Sequence, residues 1–126
     1  VLAYLGDAVY DMFVRTCMVV REPNRSVHKL HLMTIGYVKA HAQSDAVHRI
    51  SPLLNEAELS IVRRGRNSKS GYVPRNADVV EYRNATGFEA LLGYLYLTGN
   101  GERLTEIMRL SVSENEMPGS PTANVR

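Results

Sequence analysis

Apolar residues recur every three or four positions along most of the chain, which is the spacing of one face of an α-helix. The first such stripe starts at Leu2 and predicts a helix over residues 1–20, ended by Glu22-Pro23-Asn24. Because the pattern is already present at Val1, which is not a methionine, we expect this helix to begin before the first residue of the sequence. The two-residue alternation of β-strands is scarce, so the chain is predicted to be all-α.

Turn and capping signals divide the remaining residues into several helices. The predicted helices cover residues 26–33, 34–50, 55–65, 84–97 and 102–113, with one further helical turn over 78–83. Thr34 is the expected N-cap of the second of these, and Asn55 with Glu58 predicts a capping box at the start of the third. The stretch 66–76 is rich in Gly, Pro, Asn and Ser and is predicted to be a loop.

The size and composition of the chain fit one compact domain. With 126 residues and 44% hydrophobic content it can bury a core of its own, which we place in residues 1–115. Residues 116–126 contain two prolines and no apolar pattern, so they are predicted to be a disordered tail. No apolar run is long enough to span a membrane. We therefore expect no membrane partner. Cys17 is the sole cysteine, so no internal disulfide is possible and we expect a cytoplasmic protein. Cys17 itself is predicted to be a buried apolar residue.

Positive charge is concentrated in one stretch of the chain, although the net charge is only +2. No Asp or Glu occurs between Glu58 and Asp78, and this interval contains the cations Arg63, Arg64, Arg66, Lys69 and Arg75. Arginine binds phosphate through two parallel hydrogen bonds, so a polyanion is the predicted partner, with nucleic acid as the first candidate. The alternative is a solvated charged face, and confinement of the cations to one acid-free loop argues against it.

Two acidic residues stand out because they occur in otherwise apolar helices. Asp7 and Asp11 are the only charges among the first fourteen residues, and Glu89 is the only charge between 84 and 101. An ionised carboxylate in apolar surroundings needs compensation, so Asp7 and Glu89 are predicted to meet at a shared cation. Mg²⁺ takes oxygen ligands and keeps waters that a phosphate can replace. Such a site would hydrolyse phosphodiester bonds.

Both acids also have a purely structural interpretation. Asp7 taken alone would be a helix-surface residue without a role, and Glu89 would be hydrogen-bonded to a buried partner at a helix–helix contact. A glycine accompanies each acid, since Gly6 precedes Asp7 and Gly93 lies one turn after Glu89. Because Gly93 costs about 1 kcal/mol of helix propensity relative to Ala, we expect another backbone or a ligand to approach it closely.

Several motifs resemble a known family. Leu2-Ala3-Tyr4-Leu5-Gly6-Asp7-Ala8-Val9-Tyr10 resembles the signature helix of the ribonuclease III catalytic domain, in which a Leu-Gly-Asp step carries a catalytic aspartate. Phe88-Glu89-Ala90-Leu91-Leu92-Gly93 resembles the second signature, whose glutamate binds metal, and Lys69-Ser70-Gly71 resembles a shared turn. The chain is still more similar to a short bacterial subfamily, Mini-ribonuclease III, over residues 4–10, 23–24, 28–29, 38–40 with Gln43, 63–71, 74–76, 78–79 and 86–97. The resemblance extends over about residues 1–112.

The resemblance implies an all-α endonuclease domain that acts as a homodimer on double-stranded RNA with Mg²⁺, or with Mn²⁺ as a substitute, and leaves 5′-phosphate and 3′-hydroxyl ends. Asp7 and Glu89 are then the catalytic and metal-binding residues, and Asp11 and Thr86 are candidates for an indirect role through water. The expected RNA-binding residues are Arg63, Arg64, Arg66, Lys69, Ser70 and Arg75. The subfamily is associated with maturation of large-subunit (23S) ribosomal RNA, and a ribosomal protein is a further expected partner. The Mini subfamily lacks the separate double-stranded-RNA-binding domain of ordinary ribonuclease III.

The chain departs from full-length ribonuclease III at two acidic positions. Ala3 and Thr86 stand where those enzymes have a glutamate and an aspartate. The Mini subfamily resembles this chain at both positions. We therefore expect a metal site with fewer acidic ligands, in which water and RNA phosphate complete the shell of the ion. The alternative is a non-catalytic, ribosome-associated RNA-binding module on the same fold. Both signature helices are apolar nearly all round, which favours burial in a dimer.

Overall fold

The regular structure of the chain is helical. The computed structural model describes residues 1–68 and 73–112, and six α-helices and one 3₁₀ turn are the regular elements of these ranges. They are α1 (Leu2–Arg21), α2 (Val27–Val38), α3 (Ala40–Ile50), the 3₁₀ turn Ser51–Leu53, α4 (Glu56–Arg66), α5 (Val79–Leu97) and α6 (Gly101–Ser111). The predicted all-α fold class is confirmed. None of the helices in the described ranges is long and apolar enough to cross a membrane.

Helix α5 occupies the centre of the fold. It packs against α1, α3, α4 and α6, so apolar residues are buried on several of its faces. A helix surrounded by other helices needs no amphipathic pattern, which explains why α5 is apolar nearly all round. Most of this apolar surface is therefore used within the single chain, and its exposed large apolar side chains are at the two ends, Val79 and Val80 at the start and Tyr96 and Leu97 at the end.

The core between α1 and α5 contains aromatic, aliphatic and sulfur-bearing side chains. The rings of Tyr10 and Phe88 meet edge to face with their centroids 5.0 Å apart. Cys17 is fully buried in the same cluster, and burial raises the pKa of its thiol to about 11. This thiol is neutral at physiological pH, which confirms the prediction of a buried apolar residue.

The predicted boundary between the second and third helices is wrong. Helix α2 continues through Thr34 to Val38, and the chain breaks at Lys39, which has an extended backbone. Thr34 is not an N-cap but a buried residue inside α2, whose hydroxyl donates to the carbonyl of Leu30 at 2.9 Å. No Pro or Gly marks the true break. A side-chain contact across the break stabilises it, since the amide of Gln43 donates to the carbonyl of Val38, five residues earlier, at 2.9 Å.

The helical turn predicted over 78–83 and the helix predicted from 84 are one element, α5. The carboxylate of Asp78 caps this helix by accepting from the backbone N–H of Glu81 at 3.0 Å. Asn84, at the predicted junction, is buried, and its side chain donates to the hydroxyl of Ser44 in α3 at 3.1 Å. Asn84 therefore does not start a helix but joins α5 to α3 from within α5.

Helix α4 is fixed at its start and so positions the basic residues at its end. The predicted capping box is present, with Asn55 and Glu58 each accepting from the backbone N–H of the other at 2.8 and 3.0 Å. The Glu58 carboxylate also accepts two hydrogen bonds of 2.7 Å from Arg103 in α6. The Arg103 side chain lowers the pKa of Glu58 and fastens α4 to α6.

The end of the described chain follows the predicted pattern. Gly99, with a φ of +75°, ends α5 as expected of a glycine in this position. Helix α6 begins at Gly101 and ends at Ser111, close to the predicted 102–113. The tail predicted for residues 116–126 lies outside the described residues.

Candidate active site

Two glycines allow α1 and α5 to cross with their backbones in contact. A Cβ atom on Gly6 would lie 1.7 Å from the carbonyl oxygen of Glu89, and one on Gly93 would lie 2.0 Å from the carbonyl oxygen of Leu2. No side chain fits at these distances, so both glycines are required despite their cost to helix propensity. Of the two alternatives expected at Gly93, the structure shows the approach of another backbone. The same crossing places Asp7, the residue after Gly6, beside Glu89.

The structure brings the carboxyl groups of Asp7 and Glu89 together. They are close enough to share a hydrogen bond, with Asp7 on the exposed side and Glu89 half-buried. Burial raises the pKa of Glu89 to about 8, and the hydrogen bond to Asp7 and the charge of Asp7 act in the same direction. The amide of Gln43, which donates to Glu89 Oε2 at 3.3 Å, opposes this shift. The pair therefore binds a proton near neutral pH when no cation is present.

We expect Glu89→Gln to stabilise the metal-free protein, and to do so more at high pH than at low pH. The folded-state pKa of Glu89, about 8, is above its ordinary value of 4.5. The unfolded chain therefore binds fewer protons than the folded chain between these two values, and the free energy of unfolding falls as the pH rises through that window. The gain from the substitution should be on the order of 1–2 kcal/mol near pH 8 and close to zero near pH 4.5.

Urea unfolding of both proteins in EDTA at the two pH values measures this difference. Asp11→Asn is the control, because it removes a carboxylate of α1 that pairs with Arg15 at 2.7 Å, and it should not stabilise the protein. An equal effect of Glu89→Gln at both pH values would contradict the raised pKa of Glu89.

A cavity of about 510 Å³ opens beside the two carboxylates. Its walls come from the start of α1, the junction of α2 and α3, the end of α4 and the first half of α5. Arg66 and Arg83, both exposed, line the same cavity as Asp7 and Glu89. A wall that presents arginines beside two carboxylates can accommodate a phosphate and a divalent cation together.

The remaining residues of the predicted site are distributed unevenly. Thr86 lines the cavity, and its hydroxyl donates to the carbonyl of Tyr82 at 3.0 Å. Asp11 is not part of the cavity wall, and its carboxylate is occupied by Arg15. Of the predicted basic residues, Arg66 lines the cavity, whereas Arg63, Arg64 and Arg75 are exposed outside its wall. Lys69 and Ser70 lie outside the described residues.

Among the residues of the cavity wall that were not predicted as site residues are Tyr4, Gln43 and Arg83, whose polar side chains lie beside the acidic pair's cavity. Tyr4 lies one turn before Asp7 on α1, and that spacing was available as a signal. Arg83 precedes Thr86 by three positions, which places both on one face of α5. The predicted break between residues 83 and 84 separated Arg83 from the helix of Glu89. The predicted start of α3 was six residues too early, and Gln43 was missed because its contact with Glu89 depends on the packing of α3 against α5.

The donor set of the site fits magnesium. Within residues 1–68 and 73–112, no group of three or more His, Cys, Asp and Glu side chains is placed to hold a metal ion. The Asp7–Glu89 pair offers oxygen ligands only, and Mg²⁺ is commonly held by one or two carboxylates while waters complete its shell. Burial is the main cause of the raised pKa of Glu89, and repulsion from Asp7 adds to it. A divalent cation would offset that repulsion between the two carboxylates.

An all-α domain with an acidic pair in an arginine-lined cavity is thus the class of protein defined by the fold and the site. Residues 1–100 match the ribonuclease III domain. The chain therefore belongs to the ribonuclease III family, which consists of endoribonucleases.

Similar proteins include two bacterial enzymes named Mini-ribonuclease 3. The one from Thermoanaerobacter sp. (strain X514) is 56% identical over 112 residues, which cover 89% of this chain and 78% of the relative. The one from Clostridium tetani is 50% identical over 113 residues, which cover 90% and 75%. The crystal structure of a Fusobacterium nucleatum protein is 30% identical with a TM-score of 0.76 and covers 86% of each chain. The resemblance to the ribonuclease III family and its Mini subfamily is confirmed.

Proposed function

We propose that this protein is a Mg²⁺-dependent endoribonuclease that cleaves double-stranded RNA and leaves 5′-phosphate and 3′-hydroxyl ends. The observation that carries this proposal is the meeting of the Asp7 and Glu89 carboxyl groups in a cavity that also contains Arg66 and Arg83. Ribonuclease III enzymes act on double-stranded RNA, generally depend on divalent metal ions and are typically dimeric, which supports the proposal.

Each residue of the site has a separate task in this proposal. Asp7 and Glu89 hold the ion from two helices, and the backbone contact at Gly6 fixes their separation. A bound Mg²⁺ supplies an acidified water and offsets the negative charge that develops on the phosphate. Asp7 is the exposed member of the pair, so it orients the attacking water, while the half-buried Glu89 serves as a ligand. Arg66 and Arg83 hold the phosphate groups beside the pair.

Cleavage of long duplex RNA in the presence of Mg²⁺, compared with EDTA, tests this function. We expect cutting with Mg²⁺ or Mn²⁺, none with EDTA, and little cutting of a single strand of the same sequence. The products should be ligatable through a 5′-phosphate. Duplex binding without any cutting would instead support the non-catalytic RNA-binding module, which the absence of acids at Ala3 and Thr86 favours.

The affinity for RNA is proposed to come from the catalytic domain itself. A-form RNA is recognised mainly through its shape, phosphates and 2′-hydroxyl groups, which suits a surface of arginines without base-specific contacts. Arg63, Arg64 and Arg66 occupy the last turn of α4 and are exposed. Together with the exposed Arg75 they form the proposed phosphate-binding surface, and an RNA-binding role is proposed from the sequence for Lys69 and Ser70 as well. Binding that depends on phosphates weakens steeply with salt.

Replacing Arg63, Arg64 and Arg66 together by Ala should flatten the salt dependence of duplex binding. The slope of log K against log salt should fall by about one for each phosphate contact that is lost. Fluorescence anisotropy with a labelled duplex at several salt concentrations measures it. A triple variant of Arg25, Lys29 and Arg109, which removes the same charge from exposed positions elsewhere, should keep the original slope. Equal slopes for the wild type and the α4 variant would rule out this surface.

A homodimer is proposed to form through an apolar groove on the face formed by α1, the end of α5 and α6. The groove contains Leu5, Val9, Met12, Phe13, Tyr96 and Met108. Met12 is 67% exposed and Tyr96 is 56% exposed, which leaves large apolar side chains open to solvent on neighbouring helices. An exposed apolar patch of this kind marks an interaction surface, and a second copy of the chain would cover it.

Met12→Lys should convert the dimer into a monomer, because two desolvated ammonium groups would face each other or an apolar surface across the interface. Light scattering coupled to size exclusion at micromolar concentration measures the mass. Leu32→Lys, a comparable change on α2 at a residue that is 53% exposed, should leave the dimer intact. A monomeric wild type would contradict the proposed dimer.

The cellular role is proposed from the same family relationship. Two relatives that share the Mini subfamily's name are similar to most of this chain. The resemblance to the Mini subfamily implies maturation of 23S ribosomal RNA as the process, and we propose precursor ribosomal RNA as the substrate and a ribosomal protein as a further partner. Such a role places the protein in the cytoplasm.

A further inference from the structure

Gln43 is the one residue of α3 that contacts the acidic pair directly through a hydrogen bond described in the structure. Its side chain is 2% exposed, and its Nε2 donates both to the carbonyl of Val38 at 2.9 Å and to Glu89 Oε2 at 3.3 Å. A side-chain amide has two N–H donors, so both bonds form at once. Gln43 therefore links the break between α2 and α3 to the carboxylate of Glu89.

The orientation of this amide is determined by its two partners. If the amide were rotated by half a turn, its oxygen would face the Val38 carbonyl and the Glu89 carboxyl group, and the Val38 carbonyl can only accept. With Nε2 fixed in this way, Oε1 is buried and has no hydrogen-bond partner, and it is the only such side-chain atom found in the described part of the chain. An unsatisfied buried acceptor is costly, so a donor is expected at this position.

The surroundings of Gln43 indicate what that donor is. Gln43 lines the same cavity as Asp7 and Glu89, where a hydrated divalent cation is proposed to bind. The waters bound to such a cation are strong hydrogen-bond donors, so one of them can donate to Oε1. Side chains that hydrogen-bond to metal ligands, as Gln43 does to Glu89, also orient those ligands. We propose that Gln43 is a positioning residue that holds the Glu89 carboxylate toward Asp7 through Nε2 and binds the hydrated cation through Oε1. This inference rests on the proposed function.

The neighbouring residue Ser44 provides a matched control. Ser44 is also buried on α3 and also joins α3 to α5, since its hydroxyl accepts from Asn84 at 3.1 Å. It does not line the cavity. Ser44→Ala thus removes a buried polar link between the same two helices without changing the acidic pair.

The test compares Mn²⁺ binding to the wild type, Gln43→Met and Ser44→Ala by electron paramagnetic resonance of the free ion. Gln43→Met keeps the length of the side chain but removes both hydrogen-bonding groups, and we expect the affinity for Mn²⁺ to fall by about tenfold. Ser44→Ala should keep the wild-type affinity. In cleavage assays, Gln43→Met should need about tenfold more Mg²⁺ for half-maximal rate, while its rate at saturating Mg²⁺ should fall much less.

Two further variants keep the proposal testable. If Gln43→Met does not fold by circular dichroism, Gln43→Asn retains an amide that is one methylene too short to reach both partners, and the same loss of affinity is expected. In a Glu89→Gln background, Gln43→Met should cause a smaller additional loss of Mn²⁺ binding than in the wild type, because the part of its effect that passes through the Glu89 carboxylate is already lost.

The outcomes separate this inference from the proposed function. A wild type that binds Mn²⁺ and cuts RNA, with Gln43→Met unchanged in both or no weaker than Ser44→Ala, would overturn the role of Gln43 alone. A wild type that neither binds Mn²⁺ nor cuts RNA would overturn the proposed function and the role of Gln43 with it.

Discussion

Asp7→Asn is expected to abolish RNA cleavage while duplex binding persists. The substitution keeps the size and hydrogen-bonding shape of the side chain but removes the negative charge that faces the proposed cation. Loss of one of only two carboxylate ligands should lower the cleavage rate by about a thousandfold or more, because both metal binding and orientation of the water depend on it. The arginines of α4 are distant in sequence and unchanged, so affinity for the duplex in Ca²⁺ or EDTA should stay within about threefold.

The cleavage rate should be measured in single-turnover reactions with saturating enzyme, so that binding and chemistry are separated. Asp45→Asn is a matched control, because it neutralises an exposed aspartate of α3 that interacts with His41 and is outside the cavity wall. It should cleave at nearly the wild-type rate. Cleavage by Asp7→Asn within about tenfold of the wild type would overturn the proposed mechanism.

Among alanine substitutions of the glycines in the described part of the chain, Gly6→Ala is expected to cause the largest loss of stability. The added Cβ would lie 1.7 Å from the backbone carbonyl oxygen of Glu89, so two helix backbones and not a flexible side chain would have to move apart. Overpacking in a core costs about 1–3 kcal/mol, and a backbone clash belongs at or above the upper end of that range. We therefore expect a loss of about 3 kcal/mol or more and a fall in Tm of about 15 °C or more.

The same substitution should separate Asp7 from Glu89, so any folded fraction should cleave poorly. Gly36→Ala is the control, since no atom lies within 4 Å of a Cβ placed on Gly36 in α2. That variant should gain about 0.5–1 kcal/mol from helix propensity. Thermal melting of both variants under identical conditions measures the difference. A Gly6→Ala protein that melts within a few degrees of the wild type would contradict the backbone contact.

These two predictions depend on different sources of information. Asp7 and Glu89 were identified from the sequence, because a lone acid in an apolar helix is visible without any structure. The sequence also predicted that the two acids meet, whereas the reason that they can, the backbone contact at Gly6, was visible only in the packing of α1 against α5. The requirement for glycine at Gly65 and Gly87, where α4 approaches α5, also became visible only in the structure.

The sequence alone determined the helical class, the outer limits of most helices, the capping box at Asn55 and the concentration of cations after Glu58. These features depend on periodicity and on residue chemistry within a few positions, which are local properties. Only the tertiary structure decided where α2 ends and that α5 is continuous. The amide of Gln43 joins Val38, five residues earlier, to Glu89 of α5. The buried Asn84 donates to Ser44 of α3, so both features depend on packing between helices that are distant in the chain. The boundary error at residue 84 separated Arg83 from the helix of Glu89, so Arg83 joined the site only when α5 was seen as one helix. Gln43 joined it only when α3 was seen packed against α5, because no local pattern reports a contact between two helices.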